Sequence, residues 1–331
     1  MTTITIVIAP RERYYGILEC IDAVYDNTDE AFNLIIPDVG YPTDLIAKIV
    51  DKIANFPDAE IMDFGGMVIP MVLFKTIVPK VTSDVLVWVE NDTIVYPNWL
   101  PPLLESIDAG ASFVSPLILE KEGVDQGAEI RNHLYTSKIL VVEYNGEDYL
   151  IESKEYRREL LENIPNEIRT TETFEWHAVA FKTEDLRGID FPTMVMRQQI
   201  DIPMQLRAQG KTMVVNPNSK VIFDNLCTRM TIKDMKYFFF VWAQKLNEAS
   251  SRMFEKRWGY KFYSEQSIYN WVFRRKIFLL CRFLFIPIPL ANKITGLCRR
   301  IFCKEWDPLT DPIGLARQLS KEIGSPAAKR D

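Results

Sequence analysis

A continuous apolar run, Val85–Val89, leads directly into two acidic residues, Glu90 and Asp92. A strand with apolar side chains on both faces is typical of the buried centre of a parallel sheet. The segments around it alternate between strand-like and helix-like patterns, which predicts βαβ units and an α/β fold. The predicted strands of the first half are Thr3–Ala9, Phe32–Ile36, Glu60–Phe64 and Asp84–Val89, and the predicted helices are Tyr15–Tyr25, Thr43–Asn55 and Met67–Val78.

The composition favours a soluble globular enzyme or binding protein. The chain has 331 residues, 47% of them hydrophobic, which is enough for one large core. The first residues lack the basic start of a signal peptide, and no apolar run reaches the roughly 18 residues of a membrane span. Five scattered cysteines without a CxxC pair favour reduced thiols. We therefore expect a cytoplasmic protein.

The second half has a different character, beginning with a polar insertion from about Gly123 to Thr171. Within it, the sequence predicts a hairpin turn at Tyr144–Glu147 and a charged helix at Lys154–Asn163. Further along, the predicted strands are Phe174–Phe181 and Thr212–Val215, and the predicted helical regions are Gln198–Gln209 and Thr231–Trp258.

Glu90 and Asp92 follow their strand at its carboxyl end, which is where open α/β sheets bind ligands. One residue separates them, so both carboxylates can point at a shared site. Mg²⁺ and Mn²⁺ take oxygen ligands and commonly bind through one or two carboxylates together with substrate phosphates. The pattern alone is also compatible with an acidic turn that ends a strand.

The stretch Glu90–Leu100, ENDTIVYPNWL, resembles the acidic D-x-D region of family 2 glycosyltransferases, which continues as T-x-V-x-P-G-W-L. Glu90 stands where the family has its first Asp, and Asn98 stands where it commonly has glycine. Four further segments resemble elements of that family in the same order. They are the opening strand and loop Thr5–Arg13, the second strand Phe32–Asp38, the strand Gly110–Leu117, and Phe254–Gly259, which is similar to the family's RKWG element.

This resemblance covers about Thr3 to Tyr260 and implies the GT-A fold, a Rossmann-like, mostly parallel sheet with helices on both faces. It implies a domain at 1–260, with a nucleotide-sugar-binding half at 1–120 and an acceptor half at 121–260. A basic, apolar, helical C-terminal region would follow at 261–331.

The resemblance also implies site residues. Glu90 and Asp92 would hold Mn²⁺ or Mg²⁺, and Asp38 would contact the nucleotide of a UDP- or GDP-sugar; a turn beside Gly40 is the alternative role of Asp38. Asp224 stands near the position of a further metal ligand that is often histidine in the family. The other predicted donor contacts are Pro10, Arg11, Glu12, Asn91 and His177.

One landmark of the family is altered. Inverting members carry an E-D pair at the start of a helix, and its second acid is the base, but this chain has Gln198-Gln199. An amide cannot take up a proton near neutral pH. A nearby acid would have to replace it, the acceptor would need another arrangement, or the protein would bind without transferring. The candidate bases are Asp201, Asp190 and Glu175, with Asp201 preferred; a helix-opening Asp also commonly binds backbone amides.

Three other side chains have competing interpretations. His177 could contact the diphosphate or the acceptor, or be a hydrogen-bonded structural histidine. His133 lies in the polar insertion and is expected to be a solvated loop residue. Trp99 could close over the sugar, but it is expected to pack in the core, as most tryptophans do.

The C-terminal region combines large apolar residues with positive charge. Twelve Lys or Arg residues lie between Arg252 and Lys304, against only Glu255 and Glu265, although the net charge of the whole chain is −6. Residues 269–304 therefore suit a helix lying on an anionic membrane surface, and a helix packed on the core is the alternative. No nucleic-acid-binding module is recognised, so a nucleic-acid partner is not expected.

The sequence as a whole predicts a metal-dependent, inverting glycosyltransferase. It would move a sugar from a nucleoside diphosphate to a glycan or lipid-linked acceptor, in the cytoplasm or peripherally on the inner face of the membrane. A catalytically weak, nucleotide-sugar-binding scaffold at a membrane is the first alternative. A nucleotidyltransferase is disfavoured because the glycine-rich phosphate loop is missing from the sequence.

Overall fold

The computed structural model describes residues 2–120, 130–144, 146–224, 230–261 and 265–303. Eleven strands are present in that part of the chain: β1 (Ile4–Ala9), β2 (Asn33–Asp38), β3 (Ala59–Asp63), β4 (Val85–Glu90), β5 (Thr93–Val95), β6 (Phe113–Glu120), β7 (Ser137–Tyr144), β8 (Glu147–Lys154), β9 (Arg169–Thr170), β10 (Ala178–Lys182) and β11 (Met213–Phe223). The α-helices described are α1 (Ile17–Asp26), α2 (Thr43–Ile53), α3 (Pro70–Ile77), α4 (Pro101–Asp108), α5 (Thr183–Leu186), α6 (Gln198–Ala208), α7 (Ile232–Val241), α8 (Gln244–Trp258), α9 (Glu265–Phe283) and α10 (Ile288–Phe302).

Nine of these strands form one mixed sheet, in the order β3-β2-β1-β4-β10-β6-β11-β5, with β9 paired to β11. Strands β3, β2, β1 and β4 run parallel, whereas β10 is antiparallel to both β4 and β6. Every residue of β1 and β4 is buried. The apolar strand of the acidic motif therefore lies at the centre of the sheet, as its sequence predicts.

The topology gathers polar residues at one edge of this sheet. The parallel strands β1 and β4 end there, at Ala9 and Glu90, which are register partners. Because β10 is antiparallel to β4, it begins at that edge, and Ala178 pairs with Val89. Strands β6 and β11 also end there, at Glu120 and Phe223. The residues that flank these ends, including His177 and Asp224, are therefore brought to a single site.

The expected first-half elements are all present with slightly different ends, and the second half requires corrections. The hairpin at Tyr144–Glu147 is confirmed, because β7 and β8 pair through it. The predicted charged helix Lys154–Asn163 is wrong: β8 runs to Lys154, and only a 3₁₀ turn, Leu161–Asn163, follows. Backbone hydrogen bonds to residues 130–136 hold this segment and override its helix propensity.

Three other predictions differ in extent. The predicted strand Phe174–Phe181 begins only at Ala178. The predicted strand Thr212–Val215 continues to Phe223, since β11 passes Pro217 with a register shift between Asn216 and Lys220. The helical region Thr231–Trp258 is two helices, α7 and α8, separated at Trp242 and Ala243.

The C-terminal region is part of the same core. Ile268, Val272 and Leu279 of α9 are buried in the main hydrophobic cluster, together with the strands of the sheet. The proposed division at 260/261 therefore marks a change in sequence character, with packing that continues across it. Residues 304–331 of that predicted region lie outside the described residues. Among the helices that are described, none is long and apolar enough to cross a membrane.

Candidate functional site

The loop after β4 carries the two predicted metal ligands in a fully buried setting. Glu90, Asn91 and Asp92 are all buried. The side chain of Asn91 accepts from Arg11 N (3.2 Å) and donates to the carbonyl oxygens of Arg13 (2.8 Å) and Tyr14 (3.2 Å). Asn91 thus ties the acidic loop to the loop after β1, and its predicted contact with a donor stays a prediction.

The backbone at Gly16, just before α1, packs closely against the backbone of the acidic loop at Asn91. Gly16 has φ 104°, and a Cβ at that position would meet the carbonyl oxygen of Asn91 at 2.9 Å. Only glycine satisfies both the positive φ and the short approach. The start of α1 therefore lies directly beneath the acidic loop.

Arg11 contacts three carboxylates at once. Its Nη1 donates to Asp92 Oδ2 (3.2 Å) and Glu12 Oε1 (3.1 Å), and its Nε lies 3.3 Å from Glu90 Oε2. The guanidinium also lies over the Phe223 ring, 4.8 Å from the centroid. Arg11, itself a predicted donor contact, thus holds Glu12, Glu90 and Asp92 together.

Burial and neighbouring acids alter the protonation of this cluster. Burial, opposed by Arg11 and reinforced by Glu12 and Glu175, raises the pKa of Glu90 to about 8. Burial also raises the pKa of Asp92. Burial, followed by the positive charge of Arg11, lowers the pKa of His177 to about 3, so that its ring is neutral at pH 7.

His177 stands directly against the acids. Its Nδ1 lies 2.8 Å from Glu90 Oε2, and its ring stacks on Phe223 with centroids 3.6 Å apart. Its backbone oxygen accepts from Glu90 N and Thr93 Oγ1, each at 2.9 Å. The strand pairing of β4 with β10 therefore places this imidazole over the acidic motif.

The three side chains suit a divalent cation. Within the described part of the chain, Glu90 Oε2, Asp92 Oδ1 and His177 Nδ1 are buried atoms without an aligned hydrogen-bond partner. Ligand atoms of these residues lie within 4.8 Å of one another. Two carboxylate oxygens and a neutral imidazole nitrogen are ligands that Mn²⁺ accepts.

Asp224, the third predicted metal ligand, is close by but already paired. Arg13 Nη2 lies 2.7 Å from Asp224 Oδ2 and also donates to its backbone oxygen at 3.3 Å. Asp224 N donates to Asp92 O at 2.9 Å, which fixes the two acids as neighbours. Arg13 has no place in the sequence-based site, although it lies two residues from Arg11.

Glu12 connects the site with the C-terminal helix α9. Its carboxylate accepts from Trp242 Nε1 (2.8 Å) and from Arg275, whose Nε lies 3.2 Å from Oε2. Although burial alone would raise the pKa of Glu12, Arg11 and Arg275 lower it to about 2. Arg275 lies 263 residues away in the sequence, in a segment that the resemblance to the family does not include, so sequence reasoning missed it.

A second polar group extends the site toward the insertion. The expectation that His133 is a solvated loop residue is wrong: it is half-buried, its Nδ1 lies 3.4 Å from Glu120, and its ring packs edge-on against His177. Glu175 lies 3.7 Å from His133 Nε2 and pairs with Lys154. Burial alone would raise the pKa of Glu175, but Lys154 and His133 hold it well below its usual range.

The preferred candidate base, Asp201, lies in a different environment. It is fully buried in the first turn of α6, where its carboxylate accepts from Trp258 Nε1 (2.8 Å), Gln205 Nε2 (2.7 Å) and Arg257 Nη1 (2.9 Å). These donors join α6 to α8. Asp190 also pairs with Arg257 and is largely exposed. Gln198 and Gln199 begin α6, so the altered pair lies at the start of a helix, and Gln198 is buried there.

The remaining predicted residues have clear local roles. Asp38 Oδ1 accepts from Gly40 N and Tyr41 N, each at 2.9 Å, so it shapes the turn after β2. Pro10 O accepts from Tyr237 OH at 3.3 Å. Trp99 is fully buried, as expected. Asn98 has φ 61°, the left-handed region that glycine and asparagine both tolerate, which explains how it replaces the family's glycine.

Comparisons with known proteins agree with this architecture. The sequence profile of Glycosyl transferase family 2 matches residues 5–173. No curated protein sequence matches the chain. The structure of GalNAc-T7 with UDP, GalNAc and Mn²⁺ is similar with a TM-score of 0.54 and 11% identity, over 98% of this chain and 59% of that one. The mannosyltransferase PcManGT from Pyrobaculum calidifontis, in complex with GDP-Man and Mn²⁺, is similar with a TM-score of 0.50 and 12% identity, over 97% of this chain and 81% of that one.

The mixed sheet and these structural likenesses define a protein of the GT-A class, with a helical C-terminal region. The profile match extends over about half of the chain. The chain belongs to glycosyltransferase family 2 and is a glycosyltransferase.

Proposed function

We propose that the protein transfers a sugar from a UDP- or GDP-sugar in a reaction that depends on Mn²⁺ or Mg²⁺. The observation that carries the proposal is that buried ligand atoms of Glu90, Asp92 and His177 lie within 4.8 Å of one another, at the edge where β1 and β4 end. That edge is where open α/β sheets bind nucleotides. GalNAc-T7 with UDP and Mn²⁺ and PcManGT with GDP-Man and Mn²⁺ share the fold, which supports this choice of donor.

The donor would lie along the ends of β1 and β2. Asp38 and the loop Pro10–Glu12 are the proposed contacts to the nucleotide, and Arg11 is a cation suited to phosphate oxygens. Asp224, which forms an ion pair with Arg13, is the remaining proposed acid of the site. A divalent cation held by Glu90, Asp92 and His177 would neutralise charge on the departing diphosphate.

Glu175 is the acid that the fold supports best as the base for inverting transfer. Among Asp201, Asp190 and Glu175, it alone shares a cluster with His177. Lys154 and His133 hold its pKa well below the usual range, so it is ionised at neutral pH; the acceptor hydroxyl would have to displace Lys154 for the carboxylate to act as the base. In the proposed step, the acceptor oxygen bonds to the anomeric carbon while the carbon–oxygen bond to the diphosphate breaks. The acceptor's proton passes to the Glu175 carboxylate, and the diphosphate leaves with the electron pair.

The acceptor is proposed to be a glycan or a lipid-linked saccharide at the cytoplasmic face of a membrane. The observation behind the location is an exposed apolar surface on α9, on α10 and in the turn between them, which we call the C-terminal apolar surface. It consists of Trp271, Leu280, Leu284, Phe285, Leu290, Leu297, Ile301 and Phe302. The same helices carry Arg274, Arg282, Lys293, Arg299 and Arg300. Apolar side chains with flanking cations complement an anionic bilayer surface.

A donor assay tests the transfer proposal. UDP- and GDP-sugars are incubated with Mn²⁺, and nucleotide release is measured for the wild type, Asp92→Asn and Glu175→Gln. We expect Asp92→Asn to lose both donor binding and turnover, and Glu175→Gln to lose turnover while binding nucleotide normally. Undiminished turnover in Asp92→Asn would refute the metal site. Nucleotide binding without turnover in the wild type, for every acceptor offered, would favour the scaffold function instead.

Liposome flotation tests the membrane proposal. Full-length protein is mixed with anionic or neutral vesicles, and Phe285→Ser/Phe302→Ser is compared with Ile232→Ser, which removes from α7 an apolar side chain that is at least as exposed as the two phenylalanines. We expect flotation with anionic vesicles that the double variant loses and the Ile232 variant keeps. Equal flotation of all three proteins would exclude the C-terminal apolar surface as the membrane contact.

A further inference from the structure

Arg11 already fills the position of a cation in the acidic cluster. Its guanidinium lies within 3.3 Å of Glu90, Asp92 and Glu12. Two of those carboxylates are the proposed metal ligands, and Glu90 Oε2, the atom 3.3 Å from Arg11 Nε, also faces His177 Nδ1. A divalent cation and this guanidinium would therefore compete for the same oxygens.

The local charges make simultaneous binding unfavourable. Three guanidinium groups, those of Arg11, Arg13 and Arg275, already lie among the four acids Glu12, Glu90, Asp92 and Asp224. A dication added beside Arg11 would place two cations a few ångströms apart in a buried site, where charges interact several times more strongly than in water. Movement of Arg11 removes that repulsion.

Glu12 provides the anchor about which Arg11 can turn. It is buried, it does not belong to the proposed metal ligands, and it stays fixed by Trp242 and Arg275. Arg11 can thus release Glu90 and Asp92 and keep its contact with Glu12. Arg11 is also the most exposed member of this group, with 23% of its side chain accessible, so it has solvent-facing space.

We propose that Arg11 and the divalent cation exchange places. Arg11 leaves Glu90 and Asp92 when the cation binds, and the freed guanidinium then pairs with the diphosphate of the donor. The inference rests on the proposed function, since it assumes that these acids bind a metal. It adds a coupling: cation binding prepares the phosphate contact, and nucleotide binding favours the cation.

Binding measurements with the full-length protein test this exchange. Mn²⁺ affinity is measured by calorimetry or electron paramagnetic resonance, first alone and then with saturating UDP or GDP. Wild type is compared with Arg11→Gln, and with Arg207→Gln as a matched control, since Arg207 pairs with Glu172, away from the acidic cluster. Melting temperatures verify that each variant is folded.

We expect Arg11→Gln to bind Mn²⁺ alone about tenfold more tightly, because the competing charge is gone. Nucleotide should bind the same variant about tenfold more weakly, because a charge-assisted contact to phosphate is lost. The mutual enhancement of Mn²⁺ and nucleotide should shrink in Arg11→Gln and persist in Arg207→Gln.

Two results would overturn the exchange. Equal Mn²⁺ affinity in wild type and Arg11→Gln, with both folded, would show that Arg11 does not compete, and the metal assignment would stand. Absence of Mn²⁺ binding in both proteins would refute the exchange together with the metal site. If Arg11→Gln does not fold, Arg11→Lys serves instead: it keeps the charge, but its single ammonium cannot span the three carboxylates, so a smaller gain in Mn²⁺ affinity is expected.

Discussion

At the scale of single residues, Glu90 makes the stability of the protein depend on pH. Its pKa is about 8 in the folded chain against an ordinary 4.5, so its favourable contribution is complete below pH 4.5 and is lost as pH rises to 8. His177, with a pKa of about 3, and Glu12, with a pKa of about 2, contribute fully above pH 6.5 and lose their contributions only in acid. Between pH 6.5 and 8, Glu90 therefore dominates among these groups.

We expect the free energy of unfolding, measured in EDTA by urea denaturation, to fall by up to about 2 kcal/mol between pH 6.5 and 8. Glu90→Gln cannot ionise and should show a much flatter profile. Mn²⁺ should reverse the fall, because it binds the ionised carboxylate. The same slope in wild type and Glu90→Gln would contradict the role given to this carboxyl group.

Single residues also show how far the sequence predicts the site. The sequence selects Glu90, Asp92 and Arg11 because each lies at or just after the end of a strand; the structure places them in contact, and their roles as ligands stay predictions. The sequence does not predict Arg275 as part of this cluster, because its partner Glu12 is brought near only when α9 packs on the sheet. His133 was misjudged for the same reason: its loop is polar, and the contacts that bury it come from Glu120 and His177 on other elements.

At the scale of elements, Asp201 joins helices α6 and α8. Its buried carboxylate is bound by Arg257 and Trp258, both in the last turn of α8. Removal of one partner from a buried ion pair leaves an uncompensated charge. We expect Arg257→Met to lower the free energy of unfolding by about 3 kcal/mol, and the exposed neighbour Lys256→Met to change it by less than about 0.5 kcal/mol.

The same helices distinguish the two roles considered for Asp201. If Asp201 is the catalytic base, Asp201→Asn abolishes transfer and Arg257→Met retains it at temperatures where the variant is folded. If it only joins the helices, both variants lose stability and keep turnover per folded molecule. We expect the second outcome, since the donors around Asp201 occupy its carboxylate oxygens.

Helices and strands are predicted well where their apolar residues follow a regular pattern. They are predicted poorly where contacts with residues distant in the sequence determine the backbone conformation. Strand β4 is apolar at five successive positions and cannot be misread. The segment after β8 has helix-forming residues, yet Tyr156 and Arg158 adopt positive φ because their neighbours bond to residues 130–136. The predicted strand Thr212–Val215 ends before Pro217, whereas β11 continues past this proline with a register shift. In both segments the conformation depends on which strand or loop pairs with the segment, and a single sequence does not reveal that partner.

At the scale of the whole molecule, α9 belongs to the same packed core as the nine-stranded sheet, and this can be tested with two adjacent leucines. Leu279 is fully buried in the main cluster, whereas Leu280 is 39% exposed on the C-terminal apolar surface. Leu279→Ala should destabilise the protein by about 2–5 kcal/mol through the cavity it leaves, and Leu280→Ala by less than about 0.5 kcal/mol.

One cooperative unfolding transition should be lowered in Leu279→Ala, since the same core holds α9 and the strands. Because α9 also carries Arg275, nucleotide affinity should weaken in parallel when α9 loosens, and Leu280→Ala should affect neither property. If Leu279→Ala instead produced a separate early transition without a change in nucleotide affinity, residues 261–303 would form an independent unit. The boundary suggested by the sequence at 260 would then be a true domain boundary, and Arg275 would have no part in maintaining the donor site.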